Sequence, residues 1–160
     1  MEDTLKELFG RLMVRQGDLL ATDVPLVMHQ ANNMGVMGAG VAKQVRADMP
    51  DADFMRYRTG VLSDPQGSLG MVYPAHSLTV PDRTYLNVVG QDGLGYGRQF
   101  TDYEALGTAF DKIAERYAGQ SLAMPYGMGA GLGGGDWTEV ERLVNERLAP
   151  FMNVFAYKLK

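Results

Sequence analysis

Two glycine-rich segments limit what this chain can fold into more than any other feature. The first runs from Asn33 to Gly40, and the second, Gly127 to Gly135, holds six glycines in nine residues. Each follows a short apolar run of strand type and precedes a run with helical periodicity, so each is predicted to join a strand to a helix. Glycine lets such loops adopt positive φ angles and lets a ligand approach the backbone amides closely.

The rest of the chain alternates between the same two kinds of segment. We predict strands over residues 13–20 (breaking at Gly17-Asp18), 24–28, 69–73, 85–89, 121–124 and 154–157, and helices over 41–49 and 53–59. Two further helices begin at predicted capping boxes, Thr101 with Glu104 and Asp136 with Glu139. Residues 90–97 are predicted to form an irregular loop. The alternation indicates an α/β fold with a mixed, mainly parallel sheet of about six strands and helices on both faces.

Composition excludes several classes of function. The chain has 160 residues, a net charge of −4 and scattered basic residues, so we expect a single domain over residues 1–160 and no primary nucleic-acid partner. It has no cysteine and two histidines, so no structural zinc site is expected. We also expect no cofactor. Residues 1–11 are predicted to form a helical extension. Without a long apolar run or a signal peptide, we expect no membrane contact and a cytoplasmic location.

The two glycine loops are suited to phosphate. The N-terminus of a helix behind such a loop supplies free N–H groups and partial positive charge, and two loops that meet at the strand ends can hold a diphosphate between them. Flexible turns are the alternative. Gly129, Gly131 and Gly134 also match the dinucleotide-binding pattern, but the acidic residue expected about 20 positions later is missing. No glycine loop leads into the Lys-Ser/Thr pair of a P-loop.

Four segments resemble the macrodomains, a family that binds ADP-ribose and its derivatives. They are Gln16 to Leu20, His29 to Ala42, Met124 to Trp137, and Val154 to Tyr157. The chain looks most like the branch that contains ADP-ribose 1''-phosphate phosphatases and terminal ADP-ribose glycohydrolases. The stretches Gly95 to Arg98 and Gly133 to Trp137 look like phage and bacterial members. The resemblance implies a three-layer α/β/α fold and a location in the host cytoplasm if the protein is phage-encoded.

The resemblance also implies roles for individual residues. Asp18, with the backbone of Leu19 beside it, corresponds to the residue that accepts a hydrogen bond from the adenine amino group, and Tyr157 borders the adenine. Asn32 corresponds to the residue that holds the distal ribose. The diphosphate is expected to contact two loops, made of Gly38, Ala39, Gly40 and Val41 in the first and of Gly127, Met128, Gly129, Ala130, Gly131 and Leu132 in the second.

Each of these residues also has a structural interpretation. Asp18 can be a turn residue, Asn32 can cap its own loop, and Tyr157 can belong to the core. Trp137 is more simply a packing residue. The two predicted catalytic residues, His29 and Asp92, can be a buried strand histidine and a solvated turn acid. Met34, Met37 and Met128 can border the cleft or pack within their loops.

Three functions are compatible with these residues. The first is hydrolysis of ADP-ribose 1''-phosphate to ADP-ribose and phosphate, with His29 and Asp92 as the acid and base. The second is a module that binds ADP-ribose or a related signalling nucleotide without turnover. The third, removal of ADP-ribose from modified macromolecules, is disfavoured because the lysine and the aspartate of the glycohydrolases are replaced by Val88 to Gly90 and by Gly133. We expect a monomer whose partner is a small molecule, with nucleic acid only as an ADP-ribosylated substrate.

Overall fold

A computed structural model describes residues 10–159. The helix predicted over residues 1–11 falls mostly outside this range. The described residues form strands β1 (Met13–Gln16), β2 (Leu26–Asn32), β3 (Val72–His76), β4 (Thr84–Gln91), β5 (Ser121–Pro125) and β6 (Asn153–Lys158). The helices are α1 (Gly40–Ala47), α2 (Asp51–Ser63), α3 (Tyr103–Tyr117) and α4 (Trp137–Arg147), with a 3-10 helix at Leu19–Ala21. In this range no helix combines the length and apolarity that a bilayer crossing requires.

The strands form one mixed sheet in the order β1-β6-β5-β2-β4-β3. All neighbouring pairs are parallel except β3 with β4, which is antiparallel. This confirms the predicted α/β class and the mainly parallel sheet. Because five strands point the same way, their C-terminal ends meet along one edge, which is where open α/β sheets bind ligands.

Each face of the sheet carries its own apolar core. Helices α3 and α4 cover one face, where the buried residues include Leu86, Phe110, Leu122 and Val144. Helices α1 and α2 cover the other face, where they include Val45, Tyr57, Tyr85 and Val89. Strand β2 contributes to both, because successive side chains of a strand point to opposite faces. Its position in the middle of the sheet explains the continuous apolar run from Leu26 to Met28 at its start.

Several predicted boundaries are wrong. Strand β2 continues to Asn32 rather than ending at Met28, because pairing with β4 carries it through its polar end. Strand β3 begins at Val72 and not at Leu69, since residues 68–71 form turns closed by backbone hydrogen bonds. Helix α2 is longer than predicted, and the loop predicted from Gly90 begins after Gln91.

The predicted capping box at Thr101 is also wrong. The N-cap of α3 is Asp102, whose carboxylate accepts a hydrogen bond from Ala105 N at 3.0 Å. At α4 the predicted cap, Asp136, is confirmed by a hydrogen bond from Thr138 N at 2.9 Å, whereas Glu139 pairs with Arg142 instead of completing a box. An Asp beside a Thr offers two possible caps, and spacing alone does not choose between them.

Candidate functional site

A cavity of about 640 Å³ opens at the C-terminal edge of the sheet. Three loops surround it, namely residues 33–39 between β2 and α1, residues 92–102 between β4 and α3, and residues 126–136 between β5 and α4. Its wall consists of His29, Gln30, Asn32, residues 36–42, Gln91, residues 94–96, residues 125–129 and residues 131–133. Both glycine-rich segments therefore contribute to one cavity.

Most of the predicted site residues lie in this wall. They are His29, Asn32, Gly38, Ala39, Gly40, Val41, Gly127, Met128, Gly129, Gly131 and Leu132. The wall does not include Asp18, Leu19, Asp92, Ala130 or Tyr157. Of the three methionines singled out from the sequence, Met37 and Met128 line the cavity and Met34 does not.

The first glycine loop presents a row of free amides. The N-cap of α1 is Ala39, which has no side chain able to cap the helix, and Gly40 has a φ of +57°. Among residues 10–159, no protein group accepts a hydrogen bond from the N–H groups of residues 38–42. The N–H groups of residues 40–42 belong to the first turn of α1 and carry the positive end of its dipole, and all five residues line the cavity.

In the second glycine loop, several backbone carbonyls are hydrogen-bonded within the protein while several backbone amides are not. Carbonyl groups at five positions accept hydrogen bonds from the protein, namely Pro125, Gly127, Gly129, Gly131 and Gly133. Amide groups at another set of five positions donate to no described residue, namely Gly127, Gly129, Gly131, Leu132 and Gly133. Every residue of the second set lines the cavity. The loop thus keeps hydrogen-bond donors available at the cavity while these carbonyls are occupied elsewhere.

Asn32 braces the first loop with its side chain. Its Nδ2 donates to Val36 O at 2.8 Å, and its Oδ1 accepts from Met34 N at 3.0 Å and from Val36 N at 3.4 Å. The interpretation of Asn32 as a cap of its own loop is therefore correct. A second Nδ2 hydrogen has no acceptor among residues 10–159, so a contact from this cavity-lining side chain to a ligand stays a prediction.

Asp92 is placed apart from the cavity wall. Its Oδ1 accepts hydrogen bonds from Asn33 Nδ2 and from Gln66 Nε2, both at 3.0 Å. The buried Asn33 also accepts from Gly93 N and donates to Pro65 O, so this cluster ties three loops together. The structure does not bring Asp92 and His29 into one site, because only His29 lines the cavity.

His29 is buried in the middle of β2. Its Nε2 lies 2.5 Å from Asn87 Oδ1, and the Asn87 amide nitrogen donates to Tyr73 O, which fixes the orientation of the amide. Nε2 must therefore carry the hydrogen, and Nδ1 is a bare acceptor. No described residue donates to Nδ1. Burial lowers the pKa of His29, and the interactions with the Asn87 side chain and the Gln30 backbone offset this only in part, so the ring is neutral at pH 7.

Among the described residues, the cavity wall contains no lysine, arginine, aspartate or glutamate. With His29 neutral, the wall has no formal charge, and any bound anion must be held by backbone amides and helix dipoles. The same range holds no cluster of three histidine or acidic side chains that could bind a metal ion.

Asp18, Leu19 and Tyr157 lie farther along the same edge of the sheet. Strands β6 and β5 separate β1 from β2 in the sheet, and the 3-10 helix that follows β1 contacts β5, the strand next to β2. Asp18 caps the 3-10 helix through Leu20 N at 2.9 Å, and its second carboxylate oxygen has no partner among the described residues. The Tyr157 hydroxyl is bound to Thr22 and Arg15.

Several wall residues escaped the sequence interpretation. Tyr126 lies between the cavity and Trp137, with ring centroids 4.8 Å apart, and Lys158 Nζ lies 4.7 Å from the Tyr126 ring. The contact with Tyr126 supports the packing role of Trp137. Gln30 and Gln91 join the wall from two neighbouring strands, and Tyr96 is 87% exposed at its rim. The two glutamines are polar residues near the ends of predicted strands, and this position in the sequence could have identified them as wall residues.

Comparisons with known proteins give structural matches only. No protein-family model matches the chain, and no curated protein matches its sequence. A macrodomain protein from Streptomyces coelicolor is 28% identical, with a TM-score of 0.69 over 91% of this chain and 99% of that chain. A Bacteroides thetaiotaomicron protein of unknown function is 21% identical, with a TM-score of 0.74 over 92% and 99%. Thermosipho africanus DarTG, solved in complex with ADP-ribose, is 21% identical, with a TM-score of 0.69 over 94% and 43%.

Proposed function

We propose that this chain, which has the macrodomain fold, binds ADP-ribose or a close derivative in the cavity at the edge of its sheet. The observation that carries the proposal is that one uncharged cavity wall combines residues of two loops whose amides have no acceptor among the described residues. Such a site favours a diphosphate, because amide donors and a helix N-terminus stabilise negative charge. The ADP-ribose complex of DarTG supports this choice of ligand.

The two ends of the ligand are assigned to different strand ends. Asn32 lines the cavity and corresponds to the residue that holds the distal ribose. Asp18 lies at the same edge of the sheet, at the start of the 3-10 helix that contacts β5, the strand beside β2. Its free carboxylate oxygen is a suitable acceptor for the adenine amino group. An elongated nucleotide can therefore place its diphosphate at the glycine loops and its adenine beside Asp18 and Tyr157.

Calorimetric titration of ADP-ribose tests this proposal. We expect saturable binding at one site, whereas no heat and no competition with a labelled ADP-ribose would contradict it. Asp18→Asn is a sharp variant, because Asn also caps helices but offers an N–H donor in place of the free oxygen. It should weaken ADP-ribose binding and favour the inosine analogue, whose base carries a carbonyl in place of the adenine amino group. Equal ligand preference in parent and variant would remove Asp18 from the site.

A second candidate function is hydrolysis of ADP-ribose 1''-phosphate, and His29 is the residue that favours it. Its Nδ1 is an unpartnered acceptor on a neutral imidazole that lines the cavity. Because Nδ1 is enclosed by protein atoms, the proposal requires the wall to open far enough for a water molecule to reach it. That water can then attack the phosphorus and give its proton to Nδ1, which returns it to the leaving ribose oxygen. The loop amides can stabilise the charge that develops on the phosphoryl oxygens. Asp92 is not used in this proposal, because it lies outside the cavity wall.

Release of phosphate from ADP-ribose 1''-phosphate tests the second candidate. We expect release by the parent protein and loss of release in His29→Ala, with Asp92→Ala retaining activity. Binding of ADP-ribose without any phosphate release would leave the binding module as the function. Loss of label from ADP-ribosylated protein or DNA would instead favour the glycohydrolase hypothesis, for which the described cavity wall offers neither a lysine nor a carboxylate.

A further inference from the structure

Thr101 is a buried residue whose hydroxyl does not cap a helix. It is 3% exposed and directly precedes Asp102, the N-cap of α3. Its Oγ1 accepts a hydrogen bond from Gln30 Nε2 at 3.0 Å and lies 2.8 Å from Gly129 O. A hydroxyl has one hydrogen, and a carbonyl only accepts, so the hydroxyl donates to Gly129 O. A chain of hydrogen bonds therefore runs from Gln30 on β2, through Thr101 in the loop before α3, to Gly129 in the second glycine loop.

The backbone beside Thr101 holds a second carbonyl of the same loop. Thr101 N and Phe100 N both donate to Gly133 O, at 3.0 and 2.7 Å. Gly129 O also accepts from Gly135 N at 2.8 Å. Each of these carbonyls therefore has two donors, which directs its partial negative charge into the protein.

Thr101 also explains why two positions of the second glycine loop, Gly133 and Gly135, have no room for a side chain. A Cβ on Gly133 would collide with the Thr101 hydroxyl and would lie 2.9 Å from Gln30 Nε2. A Cβ on Gly135 would lie 3.1 Å from Thr101 Cβ. The loop is thus packed tightly around this one side chain, which leaves its peptide groups little freedom to rotate.

We infer that Thr101 is a positioning residue that makes the second glycine loop selective for anions. This rests on the proposed binding of ADP-ribose. Rotation of the peptide group that contains Gly129 O can turn a carbonyl toward the diphosphate, where its partial charge repels the ligand. The hydroxyl of Thr101, oriented by Gln30, opposes that rotation. Thr101 itself is absent from the cavity wall, so it acts through the loop and not by touching the ligand.

Three substitutions separate this role from simple stabilisation. Thr101→Ser keeps the hydroxyl, Thr101→Val keeps the shape without it, and Thr101→Ala removes both without adding bulk. Affinity for ADP-ribose is measured by calorimetry at a temperature where circular dichroism shows each variant fully folded. We expect the Ser variant to bind within about twofold of the parent, and the Val and Ala variants to bind about tenfold more weakly, a loss of about 1.4 kcal/mol. Folded Val and Ala variants with parental affinity would overturn the inference.

A measurement on the free protein keeps the test independent of the ligand. We expect Thr101→Val and Thr101→Ala, but not Thr101→Ser, to shift the carbonyl carbon resonance of Gly129 and to speed exchange of the Gly135 amide hydrogen. Unchanged resonance and exchange in the folded variants would overturn the positioning role. If the parent protein itself fails to bind ADP-ribose, the proposed function fails, while this pair of observables still decides whether Thr101 fixes the loop.

Discussion

A charge placed on the rim of the cavity should change ligand affinity according to its sign. Leu132 is suited to this test because it lines the cavity, is 56% exposed and belongs to the set of residues with free amides. Leu132→Asp adds a negative charge, Leu132→Asn adds the same shape without charge, and Leu132→Lys adds a positive charge. An exposed position tolerates all three, so the fold should be unaffected.

The size of the cavity sets the expected magnitude. A volume of about 640 Å³ corresponds to a radius of about 5 Å, so a rim carboxylate lies roughly 7 Å from the centre of a bound diphosphate. Coulomb's law then gives about 2 kcal/mol per unit of ligand charge at an effective dielectric constant of 20 and about 0.6 kcal/mol at 80. Because the rim is open to solvent, we expect Leu132→Asp to weaken binding about tenfold.

Calorimetry with ADP-ribose in low salt measures the effect. The Asn variant should bind within about twofold of the parent and the Lys variant should bind more tightly. About 0.5 M salt should bring the Asp and Asn variants together, because the screening length then falls below the charge separation. Equal affinities of the Asp, Asn and Lys variants in low salt would refute an anion site at these loops.

Three further predictions concern the framework of the site. Gly133→Ala should lower the melting temperature in calorimetric scans, because its Cβ meets a buried hydroxyl, and should weaken ligand binding. Gly131→Ala, with no protein atom within 4 Å of the added Cβ, should leave the melting temperature near the parental value. Tyr57→Phe should lower the free energy of unfolding in urea by about 1–3 kcal/mol, because the Asn32 carbonyl loses a buried donor at 2.7 Å; an unchanged midpoint would contradict this. Burial raises the pKa of Asp48, but hydrogen bonds from Ser77, Tyr85 and Thr79 outweigh this effect and lower the pKa below the ordinary 3.8. The parent should therefore be more stable than Asp48→Asn at pH 7 and should lose this advantage as the pH falls below 3.8. A difference in unfolding free energy that stays constant with pH in urea titrations would refute the hydrogen-bond network.

The sequence was most informative where backbone geometry follows from residue type. Glycine segments between an apolar run and a helical pattern predict loops at strand ends, and the parallel sheet brings such loops to one edge. Both glycine loops accordingly line one cavity. The buried stripe of α4 was also predictable, since Val140, Leu143, Val144 and Leu148 follow helical periodicity and are all buried.

Contacts between distant segments were not predictable. Thr101 fits a helix cap by local spacing, and only the fold shows that its hydroxyl reaches Gly129 while Asp102 takes the cap. The place of Asp92 after a strand end predicts a catalytic role, but contacts with Asn33 and Gln66 hold it outside the cavity wall. Both roles depend on hydrogen bonds between residues far apart in the sequence, and the periodicity of the sequence does not predict such pairs.

An amide-resolved NMR titration with ADP-ribose decides whether the free amides of the two glycine loops hold the ligand. We expect the largest shifts on residues 38–42 and on Gly127, Gly129, Gly131, Leu132 and Gly133. Saturable shifts confined to another surface, or a spectrum that ADP-ribose leaves unchanged, would contradict this expectation.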